Sequence, residues 1–155
     1  MPAVDGFGYE LNELGIELPG EYVVEGDFYD ESGYRGTRQL LELRKPPTAI
    51  FAASDLMAAG ALRAANELGV RIPEDVAIVG FDDIALASLI TPQLTTVRQD
   101  MHALGEAAAK GLARMIDDPE AEAARELVPT RLVVRASSGG SGAPRERSLT
   151  SKEVG

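Results

Sequence analysis

The chain has 155 residues, with 15 Lys plus Arg against 25 Asp plus Glu, a formal charge of −10 and a pI of about 4.6. Its length suits one domain, and 45% apolar residues suit a soluble protein with a real core rather than a disordered one. The acidity disfavours direct binding to duplex DNA, the absence of cysteine excludes disulfides and thiol chemistry, and one histidine (His102) excludes a histidine-rich metal site. There is no stretch of the roughly 18 apolar residues a membrane span needs, and Met1 to Asp5 lacks the basic start of a secretory signal. A cytoplasmic protein without a membrane partner is expected.

In chain order, Leu11 and Leu14 fit the end of a short helix closed by Gly15. Residues 1–31 hold nine acids and no Lys or Arg, which reads as a solvated acidic surface. Tyr22-Val23-Val24 suggests a strand over Glu21 to Glu25. Asp30, Glu31 and Ser32 can cap a second helix whose Tyr34, Thr37 and Leu41 share a face, and Pro46-Pro47 ends it. Thr48 to Ala53 reads as a strand buried on both sides. Ser54-Asp55 then opens a helix with Leu56, Ala59, Leu62 and Leu68 along it, and Gly69 stops it.

A second run apolar on both sides, Val76 to Phe81, ends at Asp82-Asp83. Strand, helix and strand make a right-handed βαβ unit with parallel strands. A turn-rich stretch through Thr91-Pro92 leads to Leu94-Thr95-Thr96-Val97. Asp100 opens a further helix with a stripe of Met101, Leu104, Ala108, Leu112 and Met115, and Thr130 to Arg135 closes the folded part as a strand. From Ser137 the small polar residues predict a disordered tail over 137–155. The order implies an α/β fold with a mainly parallel sheet.

In such sheets ligands bind beyond the carboxyl ends of the strands. Ser54-Asp55 and Asp82-Asp83 end two parallel strands and therefore share one rim. A carboxylate there can accept two directional hydrogen bonds from neighbouring hydroxyls of a polyol or sugar. Asp55 can equally cap its helix, Asp82 can satisfy nearby amides, and Asp83 can face water. The same carboxylates admit a Mg²⁺-dependent phosphoryl-transfer site. No GxxxxGK[ST] or strand-linked GxGxxG completes one, no GxSxG surrounds a serine, and His102 lies on a helix as a surface or satisfied residue. No enzyme and no cofactor are expected.

Three linked runs carry a resemblance: Pro47 to Ala65 (PTAIFAASDLMAAGALRAA), Gly69 to Asp83 (GVRIPEDVAIVGFDD) and Pro92 to Gln99 (PQLTTVRQ). Glu25-Gly26-Asp27-Phe28 and Leu132 to Arg135 extend it to about residues 6–138. The sequence resembles the effector-binding domain of lac-repressor-type (LacI/GalR) transcription regulators. Such domains are similar to periplasmic sugar-binding proteins of type I, with two α/β lobes and ligand in the cleft. The resemblance implies one lobe mostly complete over 1–97, a crossover helix of the other lobe over 98–125, a return strand over 126–136, and the tail.

It also implies roles. Asp82 matches the carboxylate that holds effector hydroxyls, and Phe28 an aromatic packed on the ligand's face. Ser54 sits where many members carry an amide, and Met101 falls near a cleft residue past the crossover. Leu86, Ser88, Leu89 and Ile90 fall in the stretch used for homodimer contact. Ala3 replaces an arginine that commonly touches the effector. Members also carry a helix-turn-helix, a hinge, a first lobe and the first strand of the second lobe before the equivalent of Gly6-Phe7. DNA would then be met only through an upstream part, and the chain alone is expected to bind sugar weakly or not at all. A solute-binding protein without DNA function is the alternative.

Overall fold

In the computed structural model, residues 2–118, 127–140 and 145–148 are described. Five helices and five strands run in the order α1 (Pro2–Glu13), α2 (Asp30–Leu41), β1 (Ala49–Phe51), α3 (Asp55–Glu67), β2 (Ala77–Asp82), α4 (Ala85–Leu89), β3 (Thr95–Gln99), α5 (Met101–Asp117), β4 (Thr130–Val134) and β5 (Arg145–Ser148). The sheet order is β1-β2-β3-β4-β5. β1, β2 and β3 are parallel, whereas β4 pairs antiparallel with β3 and with β5. The expected mainly parallel α/β sheet is what forms.

The core lies where α2 and α3 meet one face of the sheet, around Leu40, Ile50, Ala58, Ala61, Leu62, Val76, Ile78 and Leu94. α3 buries Ala58, Ala61, Leu62 and Ala65, while Leu56 and Leu68 of the expected stripe stay exposed. On α2 the buried positions are Ser32, Gly33, Gly36, Thr37 and Leu40, while Tyr34 and Leu41 are half-buried. Backbone approach decides that face. A Cβ on Gly33 would lie 2.0 Å from the Met57 carbonyl oxygen, and one on Gly60 1.9 Å from that of Asp30, so the helices touch through missing side chains.

The two apolar strands are not covered equally on both sides. In β1 only Ile50 is buried, and in β2 Ile78 and Gly80 are. The opposite face carries an aromatic row: Phe7 of α1 stacks on Phe51 at 5.2 Å, and Phe51 meets Phe81 edge-on at 6.5 Å.

Two further expectations are corrected. Residues 21–25 are not a strand: a 3-10 turn spans Gly20–Tyr22, and the extended chain after it pairs with no strand among the described residues. Their alternation is real, because Tyr22, Val24 and Gly26 are half-buried while Val23 and Glu25 are exposed, but a ladder needs a neighbour and here a groove separates the segment from β1. The tail expected from Ser137 begins as ordered chain. Ser137 is fully buried in a 3-10 turn, donates to the Ile78 carbonyl and accepts from the Thr95 amide, while 145–148 form β5. Residues 141–144 and 149–155 lie outside the described part, as do 119–126 between α5 and β4.

Candidate functional site

The carboxyl ends of β1, β2 and β3 deliver Ser54-Asp55, Asp82-Asp83 and Asp100-Met101 to one rim. Ser54, not Asp55, caps α3: its hydroxyl accepts from the Met57 amide at 3.1 Å and donates to the Phe28 carbonyl at 2.8 Å. One buried hydroxyl thereby starts a helix and fixes the loop that carries Phe28. That loop is pinned again by the Asp27 carboxylate, which accepts from the Tyr29 amide, and by Ser32, which donates to the Tyr29 carbonyl and accepts from the Asp27 amide. The nearby Ser32 hydroxyl first, and the Tyr29 amide second, hold the Asp27 carboxyl below the ordinary range.

Asp55 is 1% exposed and links three elements. It accepts from the Thr96 hydroxyl on β3 at 2.6 Å and from the Ile84 amide after β2 at 2.8 Å. Burial pushes its carboxyl above the ordinary range, these two hydrogen bonds oppose that, and the charges of Asp82 and Asp83 add to it.

Asp83 does not face water. Its side chain is 5% exposed and sits between Arg98, 2.5 Å away, and Arg135, 2.7 Å away. Arg135, whose side chain is 9% exposed, also donates to the Leu94 carbonyl, so the β2 end is tied to β3 and to the residue after β4.

Asp82, next to this ion pair, is half-buried and accepts from the Gln99 side-chain amide at 2.8 Å, which leaves acceptor capacity for a ligand. Phe28 is 50% exposed and Met101 64% exposed. Among the described residues the non-glycine positions at positive φ are Phe28 (69°), Asp82 (107°) and Asp83 (57°). All three lie on this rim, Phe28 through its bond to Ser54. Such backbone is costly for L-residues and persists where surrounding structure enforces it, often at ligand sites. No sequence motif announces it.

Two cavities, of about 440 and 780 Å³, are lined by other residues. Among the described residues no group of three or more His, Cys, Asp or Glu is placed to hold a metal ion. Leu89 is 77% exposed on α4, Ser88 is exposed and bonded to the Ala85 carbonyl, and Leu86 and Ile90 are half-buried, Ile90 against the core. His102 is exposed. None of the helices in the described part is long and apolar enough to cross a membrane.

Comparison with known proteins fits this geometry. The profile of the periplasmic binding protein-like domain matches residues 4–138. The HTH-type transcriptional repressor PurR of Erwinia tasmaniensis is 42% identical over 136 residues, which are 87% of this chain and 40% of that protein. The structure of the transcriptional regulator CelR in complex with cellobiose superposes with a TM-score of 0.82 at 38% identity, over 86% of this chain and 41% of that one. A LacI family regulator of Enterococcus faecium with bound ribose gives 0.76 at 34% identity, over 92% and 51%. The chain spans about two fifths of the length of the curated relatives it matches. The chain, with its mainly parallel sheet matched over most of its length, thus belongs to the periplasmic binding protein-like domain family, in the form found in lac-repressor-type transcription regulators.

Proposed function

We propose that this chain is the effector-sensing part of a lac-repressor-type regulator and that its effector is a sugar-like small molecule bound on the carboxyl rim. The reading is supported by the positive φ of Phe28, Asp82 and Asp83, with the Phe28 carbonyl tied to Ser54 after β1 and Asp82 ending the neighbouring parallel strand β2, and with Phe28 half exposed. Asp82 accepts from effector hydroxyls, Phe28 covers a C–H face, Met101 borders the site, and Ser54 acts through the Phe28 loop as well as near the ligand. Arg98 and Arg135 neutralise Asp83 and leave Asp82 as the carboxylate for the ligand. Ligand biases closure against a second lobe and so shifts DNA affinity, with DNA held by another part of the longer protein. Leu86, Ser88, Leu89 and Ile90 form the homodimer contact, and the protein works in the cytoplasm.

The affinity of the chain alone follows from exposure. Binding pockets cover most of a ligand's surface, whereas this rim supplies one wall. Calorimetry with a panel of monosaccharides and disaccharides gives dissociation constants in the millimolar range or weaker; micromolar affinity would contradict the one-wall geometry.

A further inference from the structure

Beneath the rim lies a carboxylate that effector binding does not use. Asp55, at the start of α3, is 1% exposed and cannot itself touch an effector. It lies over Gly80 of β2, where a Cβ would collide with the carboxylate, so the strand leaves the room it occupies. One oxygen accepts from the buried Thr96 hydroxyl on β3, and the other reaches past the end of β2 to the Ile84 amide at 2.8 Å. Among the described residues that amide donates to Asp55 and to no other acceptor.

Ile84 directly follows Asp82 and Asp83, whose φ values are 107° and 57°. Backbone of that kind relaxes unless both of its ends are held. Pairing of β2 with β3, which extends to Asp82 opposite Arg98, holds the near end. Asp83 is tied to Arg98 and Arg135 only through its side chain, which can turn about its own bonds. The bond from the Ile84 amide fixes the rigid peptide plane at the far end, and a charged acceptor in a buried place makes it a strong one. We propose that Asp55 is a positioning residue for the effector, a role that rests on Asp82 being the carboxylate that receives it. By gripping the Ile84 amide, Asp55 keeps the turn at positive φ and the Asp82 carboxylate where the Gln99 amide meets it. Without that grip, Asp82 and Asp83 fall back to ordinary backbone regions and the Asp82 side chain is redirected.

Amide NMR of the full chain gives two separate readouts. Without ligand, the Gln99 side-chain amide reports its bond to Asp82. With ribose or cellobiose, the initial slope of the shifts at Phe28 and Asp82 reports affinity. Asp55→Ala is expected to move the Gln99 signal to that of a solvated amide and to lower the slope about tenfold. Asp55→Asn keeps an acceptor for Ile84 and restores the slope to within about threefold of the wild type. Ser137→Ala breaks two buried hydrogen bonds, to Ile78 and from Thr95, but none to residues 82–84, and moves neither readout. Whatever the stability of the alanine variant, the wild-type Ile84 amide exchanges with solvent at least about tenfold more slowly than a free amide. Exchange at the free rate would overturn the proposal, as would an Asp55→Ala protein that keeps the Gln99 signal, or a Ser137→Ala protein that loses it equally. A wild type with no saturable sugar shift would overturn the reading of Asp82 on which the role rests, whereas a slope that survives Asp55→Ala would overturn the role alone.

Discussion

Ser54 and Asp55 are neighbours with opposite duties. The serine spends its hydroxyl on the α3 cap and the Phe28 carbonyl, and the aspartate is buried to join α3, β3 and the chain after β2. Ser54→Ala removes a cap and a loop tether together, and is expected to cost about 1–2 kcal/mol in denaturant unfolding. Asp55→Ala leaves the Ile84 amide and the Thr96 hydroxyl without partners and costs about 2–4 kcal/mol. Asp55→Asn retains an acceptor for Ile84 and a donor for Thr96, whose hydroxyl can turn, and is milder. The asparagine also removes a pH effect. Because burial raises the Asp55 carboxyl, the folded state binds that proton more tightly than the unfolded chain, and its contribution falls as pH rises from about 4 through the folded value. Thermal unfolding between pH 4 and 7 should therefore show Asp55→Asn gaining on the wild type as pH increases. That both residues matter is legible in a strand-end Ser-Asp. Which one caps is not, since it depends on the Asp55 carboxylate meeting Thr96, 41 residues away, which leaves the cap to Ser54.

At the level of elements, the positions of helices and parallel strands follow from local periodicity and caps, but their buried faces do not. α2 and α3 approach through Gly33 and Gly60, so the close face is marked by missing side chains rather than by leucines. Gly60→Ala gains helix propensity yet drives a methyl group into the Asp30 carbonyl, and the net loss is about 2–3 kcal/mol. The segment 22–26 shows the converse limit. Its alternation is legible, but strand pairing belongs to a partner elsewhere in space. α5 is the third case: the apolar stripe Met101, Leu104, Leu112 and Met115 reads as core in the sequence, and no residue of the helix is buried. Leu112→Glu with Met115→Glu should change unfolding free energy by no more than about 0.5 kcal/mol. A larger loss would show that this face packs on something in the chain.

For the molecule as a whole, a net charge of −10 disfavours a surface that grips phosphates. Charge also sets its acid response. Asp75, held at about 2 by its hydrogen bonds with Arg71, supports the fold above the ordinary carboxyl range and loses that support as pH falls from about 4 toward 2. Arg71→Gln should accordingly flatten the fall in Tm over that interval. The fold class and the shared rim were within reach of the sequence because parallel strands must end together. The backbone geometry that singles out Asp82 and Phe28 was not, because positive φ is imposed by neighbours distant in the chain. The proposed role of the rim is to hold a sugar-like effector through Asp82. Amide NMR of the full chain titrated with ribose and with cellobiose tests it most directly. Saturable millimolar shifts are expected at Phe28, Ser54 and Asp82 with at least one of these sugars, lost in Asp82→Asn; shifts elsewhere, or shifts that survive that substitution, would rule the proposed site out.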